Sequence, residues 1–461
     1  MTIWTPTLNG QGPLYRQLLE AIRQAIADGS LAVGTRLPTH RALADRLGVT
    51  VGTVTRAYSE AEHAGLLQGR VGSGTYVRDQ QGDQSQAWQL RQPNPGRIEL
   101  WQNLPVALDR EGMFRRALES MMQTPGLING LMEYDCAEGR RDQRERLATW
   151  LASHGMSADP ERILLTYGAQ NGLLLSLLML GVTGESVLCE GLTYPGISNL
   201  AHSLRLQLQG LAMDEEGLLP EALEKACQSG HYRVLYLIPT LQNPTTGTMS
   251  LARREAILQI CERHHLWVIE DEVHALLPET RPVSLHSLAP ERVIHIGSLA
   301  KGVSAGLRIG YLLVPEKLKA AAAQAVRGAS WMVSPLLGEI VCRWLVSGDA
   351  DLLLEQQRQM LAERGELLRR YLGHHALRYA EGSMHAWLEL PAHWRSAAFV
   401  AAAEAEGIGL ASAELFAAGH YPAPQAVRLS ISHPLDNPAL EQALATLARL
   451  LDSNTTANEC L

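Results

Sequence analysis

Lysine is scarce in this chain. Of 40 basic residues, lysine stands only at Lys225, Lys301, Lys317 and Lys319, and every other one is arginine. Lys301 lies in IGSLAKGVSAGLRIGYLL, a run of small and apolar residues from Ile296 to Leu313, seven residues before Arg308. Arginine keeps its proton in proteins, and its delocalised guanidinium forms no ordinary imine. Lysine can lose the proton and form the imine once its ammonium is desolvated or set beside another cation. The position therefore invites a Schiff base with a carbonyl compound. On spacing alone, a surface lysine in a loop after a strand accounts for it equally well.

Other stretches add chemistry. TYGAQNGLLLSLL places Gly168 and Ala169 between the strand RILLTY and a helix. Free backbone N–H groups at such a helix start, with its positive dipole end, suit a phosphate. LWVIEDEVHALL leaves carboxylates at the C-terminal end of a hydrophobic strand, where α/β sheets hold ligands. Asn243 in LQNPTTG can donate to a phenolate oxygen, and Tyr194 in EGLTYPG offers a flat ring for stacking. Each is weak alone: glycine is common in strand-to-helix turns, and an acidic turn is usually just solvated. Taken together they describe one ligand, pyridoxal 5′-phosphate (PLP), whose protonated ring nitrogen a carboxylate would hold.

The elements carrying these residues alternate. RVLYLIP, LWVIED and RVIHIGS are short runs rich in Val and Ile, as expected of strands buried on both faces. NGLLLSLLML and LARREAILQICERHH separate them and read as helices. The pattern predicts a large α/β domain with a parallel or mixed sheet, over residues 98–455. DQQGDQSQAWQLRQPNPG, within 79–97, suits a tether, and 456–461 a frayed tail.

Residues 1–78 read differently. Leu14, Leu18, Ile22 and Ile26 mark one helix face. Thr39 and Thr50 are candidate N-caps and Gly48 and Gly65 candidate stops, giving two short helices around Gly48-Val49. The second would bury Val54, Tyr58 and Ala61 and present Thr50, Gly52, Thr53 and Arg56, a helix-turn-helix. LLQGRVGSGTYV follows as a β-wing carrying Arg70 and Ser73. With Arg36 and Arg41, these residues suit phosphate and guanine contacts. Eight arginines against five carboxylates make this segment +3 on a chain of net charge −8. A small helical protein-interaction domain with ordinary surface arginines is the plainer alternative.

At 461 residues, with 46% hydrophobic and 19% charged, the chain is expected to be globular and divided into domains. No apolar stretch is long enough to cross a bilayer, and MTIWTPTLNGQG lacks a secretory pattern. Six scattered cysteines without CxxC spacing read as buried small residues in a reducing cytoplasm, and no metal site is expected.

GSLAVGTRLPTHRALADRLGVTVGTVTRAYSEAEHAGLLQGRVGSGTYV closely resembles the winged helix of GntR-type bacterial regulators, over about residues 12–78. The order of the PLP-like motifs, with YDCAEGRRDQRERLATWL before them and VRLSIS after, resembles fold type I PLP enzymes of the aspartate aminotransferase group. Coupled, the two look like the MocR subgroup of GntR regulators. The resemblance implies a multidomain fold: an N-terminal winged helix-turn-helix plus an α/β fold type I PLP-dependent aminotransferase-like domain. It makes Lys301 the imine lysine and Asp271 the partner of the pyridine nitrogen. Asn243 faces the phenolate, Tyr194 stacks on the ring, and Gly168, Ala169, Gln170, Ser298 and Arg308 hold the phosphate. Arg428 matches the position that grips a substrate carboxylate, and Tyr134 one that reaches the neighbouring subunit's site. Ala300 stands where the family often has serine. Val273 and His274 stand where it has tyrosine, and a histidine's charge varies near neutral pH. These departures bear on transamination more than on PLP binding. The implied protein is a cytoplasmic, domain-swapped homodimeric regulator of operator DNA. It would sense a small amine, an amino acid or PLP itself through the cofactor's aldimine. An active aminotransferase with an accessory DNA-binding domain is the rival.

Overall fold

The computed structural model describes residues 4–8, 12–32, 34–63, 66–70, 74–77, 96–432 and 436–453. Leu14–Ala27 forms a helix (α1) with Leu18 and Ile22 fully buried. A four-residue repeat drifts by about 40° per step on a 3.6-residue turn. The ends of the expected stripe therefore leave the face: Leu14 is exposed and Ile26 half-buried. Thr39 caps α2 (His40–Leu47) by accepting from the Ala42 N–H at 3.3 Å, and Gly48 ends it at φ 65°. Thr50 accepts from the Thr53 N–H at 3.2 Å at the start of α3 (Val51–His63). Val54, Tyr58 and Ala61 join the core that α1 lines. Leu67–Arg70 (β1) and Gly74–Val77 (β2) pair antiparallel, Leu67 opposite Val77. Gly65, Ser73 and nearly all of the tether lie outside the described residues.

In the large domain Ile98–Glu99 (β3) comes first. Seven strands then build one sheet: Ile163–Thr166 (β4), Ser186–Glu190 (β5), Gln207–Leu211 (β6), Val234–Leu237 (β7), Trp267–Asp271 (β8), Val293–Ser298 (β9) and Gly310–Leu313 (β10). Their order is β4-β10-β9-β8-β7-β5-β6. β5 to β9 pair in parallel, while β10 runs antiparallel to β4 and β9. Alternate side chains feed two cores. Val234 and Tyr236 join the core that the helix Ala169–Leu180 lines; Leu235 and Leu237 join the one that the helix Leu251–Arg263 lines. Burial on both faces is why these strands read as continuous apolar runs.

A smaller antiparallel sheet follows, made of Leu377–Arg378 (β11), His385–Glu389 (β12), Ala411–Ser412 (β14) and Ala426–Ser430 (β15), in the order β11-β12-β15-β14. Ile408–Gly409 (β13) pairs in parallel with β3, which brings the segment after Glu99 back to this sheet. The helix Asn437–Asp452 closes the described chain at Ser453, and 454–461, with Cys460, lie outside it. Cys189, Cys261 and Cys342 are buried, whereas Cys136 is exposed in a connecting turn and Cys227 is half-buried. Among the described residues no helix is long and apolar enough to cross a membrane.

Candidate functional site

The large sheet ends its parallel strands at one edge, and the candidate residues gather there. Asp271 closes β8 and Ser298 closes β9; Gly168 follows β4, Asn243 follows β7, and Tyr194 follows β5. Such a carboxyl edge is where α/β sheets hold ligands.

Strand alternation sorts the acidic residues of LWVIEDE. Asp271 accepts from the Tyr236 hydroxyl at 2.8 Å and the Val273 N–H at 3.3 Å. Glu270 and Glu272 belong to the opposite face, where fully buried Arg254 reaches Glu272 at 3.1 Å and Glu270 at 3.7 Å. Burial raises the Asp271 pKa; the Tyr236 hydroxyl, the Val273 N–H, His295 and Lys301 oppose it.

Gly168 holds φ +77°, and a Cβ there would sit 2.8 Å from an Arg308 guanidinium nitrogen. Glycine thus lets Arg308 lie along the turn that opens the helix Ala169–Leu180, with its Nη2 donating to the Tyr167 carbonyl at 3.3 Å. Ala169 and Gln170 are the first two helical residues, so their N–H groups precede the helix's own ladder. A Cβ at Gly196 would run into the Tyr194 ring and Gln170 Oε1, so this glycine lets both approach. Ala300 is tied by its N–H to Ser298 Oγ at 3.1 Å.

Lys301 is half-buried and donates through Nζ to the Asn103 carbonyl. Desolvation pulls its pKa down to about 8; Arg428 and then Arg308 push the same way, and Asp271 opposes them. Arg428, fully buried on β15, donates to Asn243 Oδ1 at 2.8 Å and to the Trp101 carbonyl, over the Phe416 ring at 4.8 Å. Its Nε has no hydrogen-bond partner. Because Asn243 Oδ1 is taken, that amide's nitrogen is the end left to donate. Burial pulls His274 down to about 3, with Lys301 and Arg428 adding to it. A value this low favours the neutral imidazole near neutral pH, where the sequence alone implies a variable charge.

Four residues of this cluster have no role assigned from the sequence. Asn103 enters because β3 pairs with β13, and His385 because β12 pairs with β15. Gln242 braces the Asn243 turn, donating to the Leu192 carbonyl at 2.7 Å and accepting from the Thr245 N–H at 2.9 Å. Tyr236 had a visible signal, a lone phenol inside an apolar strand. Tyr134 stands apart: it is 82% exposed and meets the exposed Trp331 edge-on at 6.2 Å.

In the N-terminal segment Thr50 and Gly52 are exposed at the start of α3, and Thr53 is half-buried with its hydroxyl 2.9 Å from that of Thr50. Arg36 and Arg41 are exposed. Arg36 lies against the wing, 2.9 Å from where a Gly74 Cβ would be. Arg56 is exposed but stacks on the Tyr15 ring at 4.0 Å, which holds it to α1. Arg70 ends β1, and its side chain lies outside the description. His40, unremarked in the sequence, packs edge-on against Tyr58 at 4.9 Å.

A winged helix-turn-helix joined to a fold type I aminotransferase-like domain defines the class, and the aminotransferase family of this fold is PLP-dependent. Residues 14–77 match the family described as bacterial regulatory proteins, gntR family, and residues 98–447 match aminotransferase class I and II. The chain is 33% identical over 454 residues to the HTH-type transcriptional regulator YdeF of Bacillus subtilis, covering 98% of this chain and 97% of that one. It is 28% identical to the probable rhizopine catabolism regulatory protein MocR of Rhizobium meliloti, covering 78% of each. Among solved structures, the α-aminoadipate aminotransferase LysN of Thermus thermophilus, complexed with N-(5′-phosphopyridoxyl)-L-leucine, is 27% identical. Its TM-score is 0.68, over 86% of this chain and 98% of that one. The chain belongs to the MocR subgroup of GntR-type transcriptional regulators.

Proposed function

We propose that this regulator binds PLP at Lys301, senses a small amine or amino acid there, and changes its affinity for operator DNA in response. The observation that carries the reading is Lys301 itself, an amine just past the end of β9 and held on the Asn103 carbonyl, whose proton affinity is lowered by desolvation and then by Arg428 and Arg308, against the opposing pull of Asp271. The residues fit the cofactor. Arg308, Ser298 and the N–H groups after Gly168 would hold the phosphate, Asp271 the ring nitrogen, and Asn243 and His274 the phenolate oxygen, with Tyr194 against the ring. When bound, PLP supplies an aldehyde that bonds reversibly to amines. Arg428 would grip an effector carboxylate through its unpaired Nε, a charge-assisted bond in a water-poor site. The Asn103 carbonyl, which accepts from Lys301 Nζ, would keep that amine in the site.

The winged helix would contact the operator through the start of α3 and through Arg36, Arg41, Arg56 and the wing, in paired half-sites. A homodimer supplies the pair. Met122 and Val346 are exposed on the packed helices Glu111–Met122 and Pro335–Ser347, and Met132, Tyr134 and Trp331 are exposed in the turns that adjoin Leu127–Leu131 and Pro335–Ser347 in the chain. Exposed apolar residues of this kind suit contact with a second copy, whose site Tyr134 would reach. Residues 79–97 could span roughly 60 Å when extended, which permits a swapped arrangement.

The rival, an active aminotransferase, is favoured by one feature: a lysine near pKa 8 is a competent proton carrier at physiological pH. Absorbance separates the two. A sensor treated with amino acids shows a lasting spectral change and an altered DNA affinity. Conversion of the pool to pyridoxamine phosphate with release of a keto acid, and no effect on DNA, would establish the enzyme instead.

A further inference from the structure

Asn103 is 9% exposed, and its surroundings fix which way its amide faces. His385 Nε2 lies 3.1 Å from the Gln242 backbone carbonyl, which can only accept, so that nitrogen carries the proton. The ring is neutral, because burial holds its pKa well below the ordinary value, with Arg428 and His274 adding to the effect. Its Nδ1 therefore has only a lone pair, and the Asn103 atom 3.4 Å away must be the donating Nδ2. Nδ2 also lies 3.4 Å from Nε2 of the neutral His274. With the His274 proton on Nδ1, both amide hydrogens are engaged, and the Asn103 backbone carbonyl takes Lys301 Nζ. One atom is left over: Asn103 Oδ1 is buried with no hydrogen-bond partner.

We infer that Asn103 selects the effector: Oδ1 accepts a hydrogen bond from a neutral donor on its side chain, so the effector is an amino acid bearing a hydroxyl or a carboxamide. The inference deepens the amine-sensing reading and rests on it. The charges nearby narrow the class. Lys301 and Arg428 face the two histidines, so a side-chain ammonium meets like charge. A side-chain carboxylate brings a second acceptor to Oδ1. An apolar side chain excludes water and leaves Oδ1 unpaired, the costly outcome for a buried acceptor. A hydroxyl or an amide N–H meets none of these objections.

The test uses the full-length, PLP-loaded protein and amino acids matched in shape: serine with alanine, threonine with valine, glutamine with methionine. Dissociation constants are read from the change in cofactor absorbance. The polar member of at least one pair binds about tenfold tighter or more, and Asn103→Leu brings that pair to parity while still binding the apolar member. Asn103→Asp keeps an acceptor but adds charge, and admits ornithine better than the wild type does. Equal binding within every wild-type pair, or a preference that survives in Asn103→Leu, overturns the assignment of Asn103 alone. If no amino acid alters the absorbance, amine sensing fails and the assignment falls with it. Should Asn103→Leu not fold, the wild-type pairs and Asn103→Asp decide.

Discussion

At the scale of single residues, the surroundings of Lys301 matter more than its position. With a pKa near 8, about a tenth of the side chain is neutral at pH 7, against roughly one part in 3,000 for an unperturbed lysine. Capture of PLP by the apo-protein should therefore rise with pH around a midpoint near 8, followed by absorbance; a midpoint above 10 contradicts the account. Arg428→Leu removes the cation that acts most strongly on Lys301 and should move the midpoint upward. The linkage has a definite sign. Between pH 8 and the ordinary lysine range the unfolded chain holds a proton here that the fold lacks, so the apo-protein gains stability as pH rises through that window. His274 works the same way at the acid end: neutral in the fold down to about pH 3, it should be charged in the unfolded chain below about 6.5. Stability should fall as pH drops through that interval, and thermal melts across pH 3–7 of the wild type and His274→Gln measure the share that is lost.

Elements set these residues in place, and some of that was visible in the sequence. Thr39, Gly48 and Thr50 punctuate α2 and α3 as expected because capping involves only neighbours in the chain. Asp271, Asn243 and Gly168 were legible because strand ends are marked by the close of an apolar run. Asn103 and His385 were not, since each depends on a strand pairing between distant segments, β3 with β13 and β12 with β15. The exposure of Leu14 reflects the drift of a four-residue repeat, which a single stripe conceals. Two changes test the element scale. Gly168→Ala places a Cβ against Arg308 at φ 77° and ψ 174°, backbone that essentially only glycine adopts, and should cost about 1–3 kcal/mol in stability. It should also weaken PLP affinity in an absorbance titration. Arg254→Met leaves Glu270 and Glu272 buried without their cation and should lower stability by about 3–5 kcal/mol in denaturant melts. A loss below 1 kcal/mol would show that the network is not needed to hold the end of β8.

For the whole molecule, function requires that the two matched segments communicate. DNA affinity should fall steeply with salt, and Arg41→Ala should reduce the slope of log affinity against log salt by about 1 if that side chain meets a phosphate. Coupling of the usual size, about 1–3 kcal/mol, would appear as a change of roughly 5–150-fold in operator affinity when the amine site fills. The most direct test is fluorescence anisotropy of labelled operator DNA, selected by the protein itself, titrated with PLP-loaded chain with and without a binding amino acid. The wild type should change its affinity at least fivefold, and Lys301→Ala should bind DNA with no response to the amino acid. An unchanged affinity in the wild type, or an equal response in Lys301→Ala, would contradict the account.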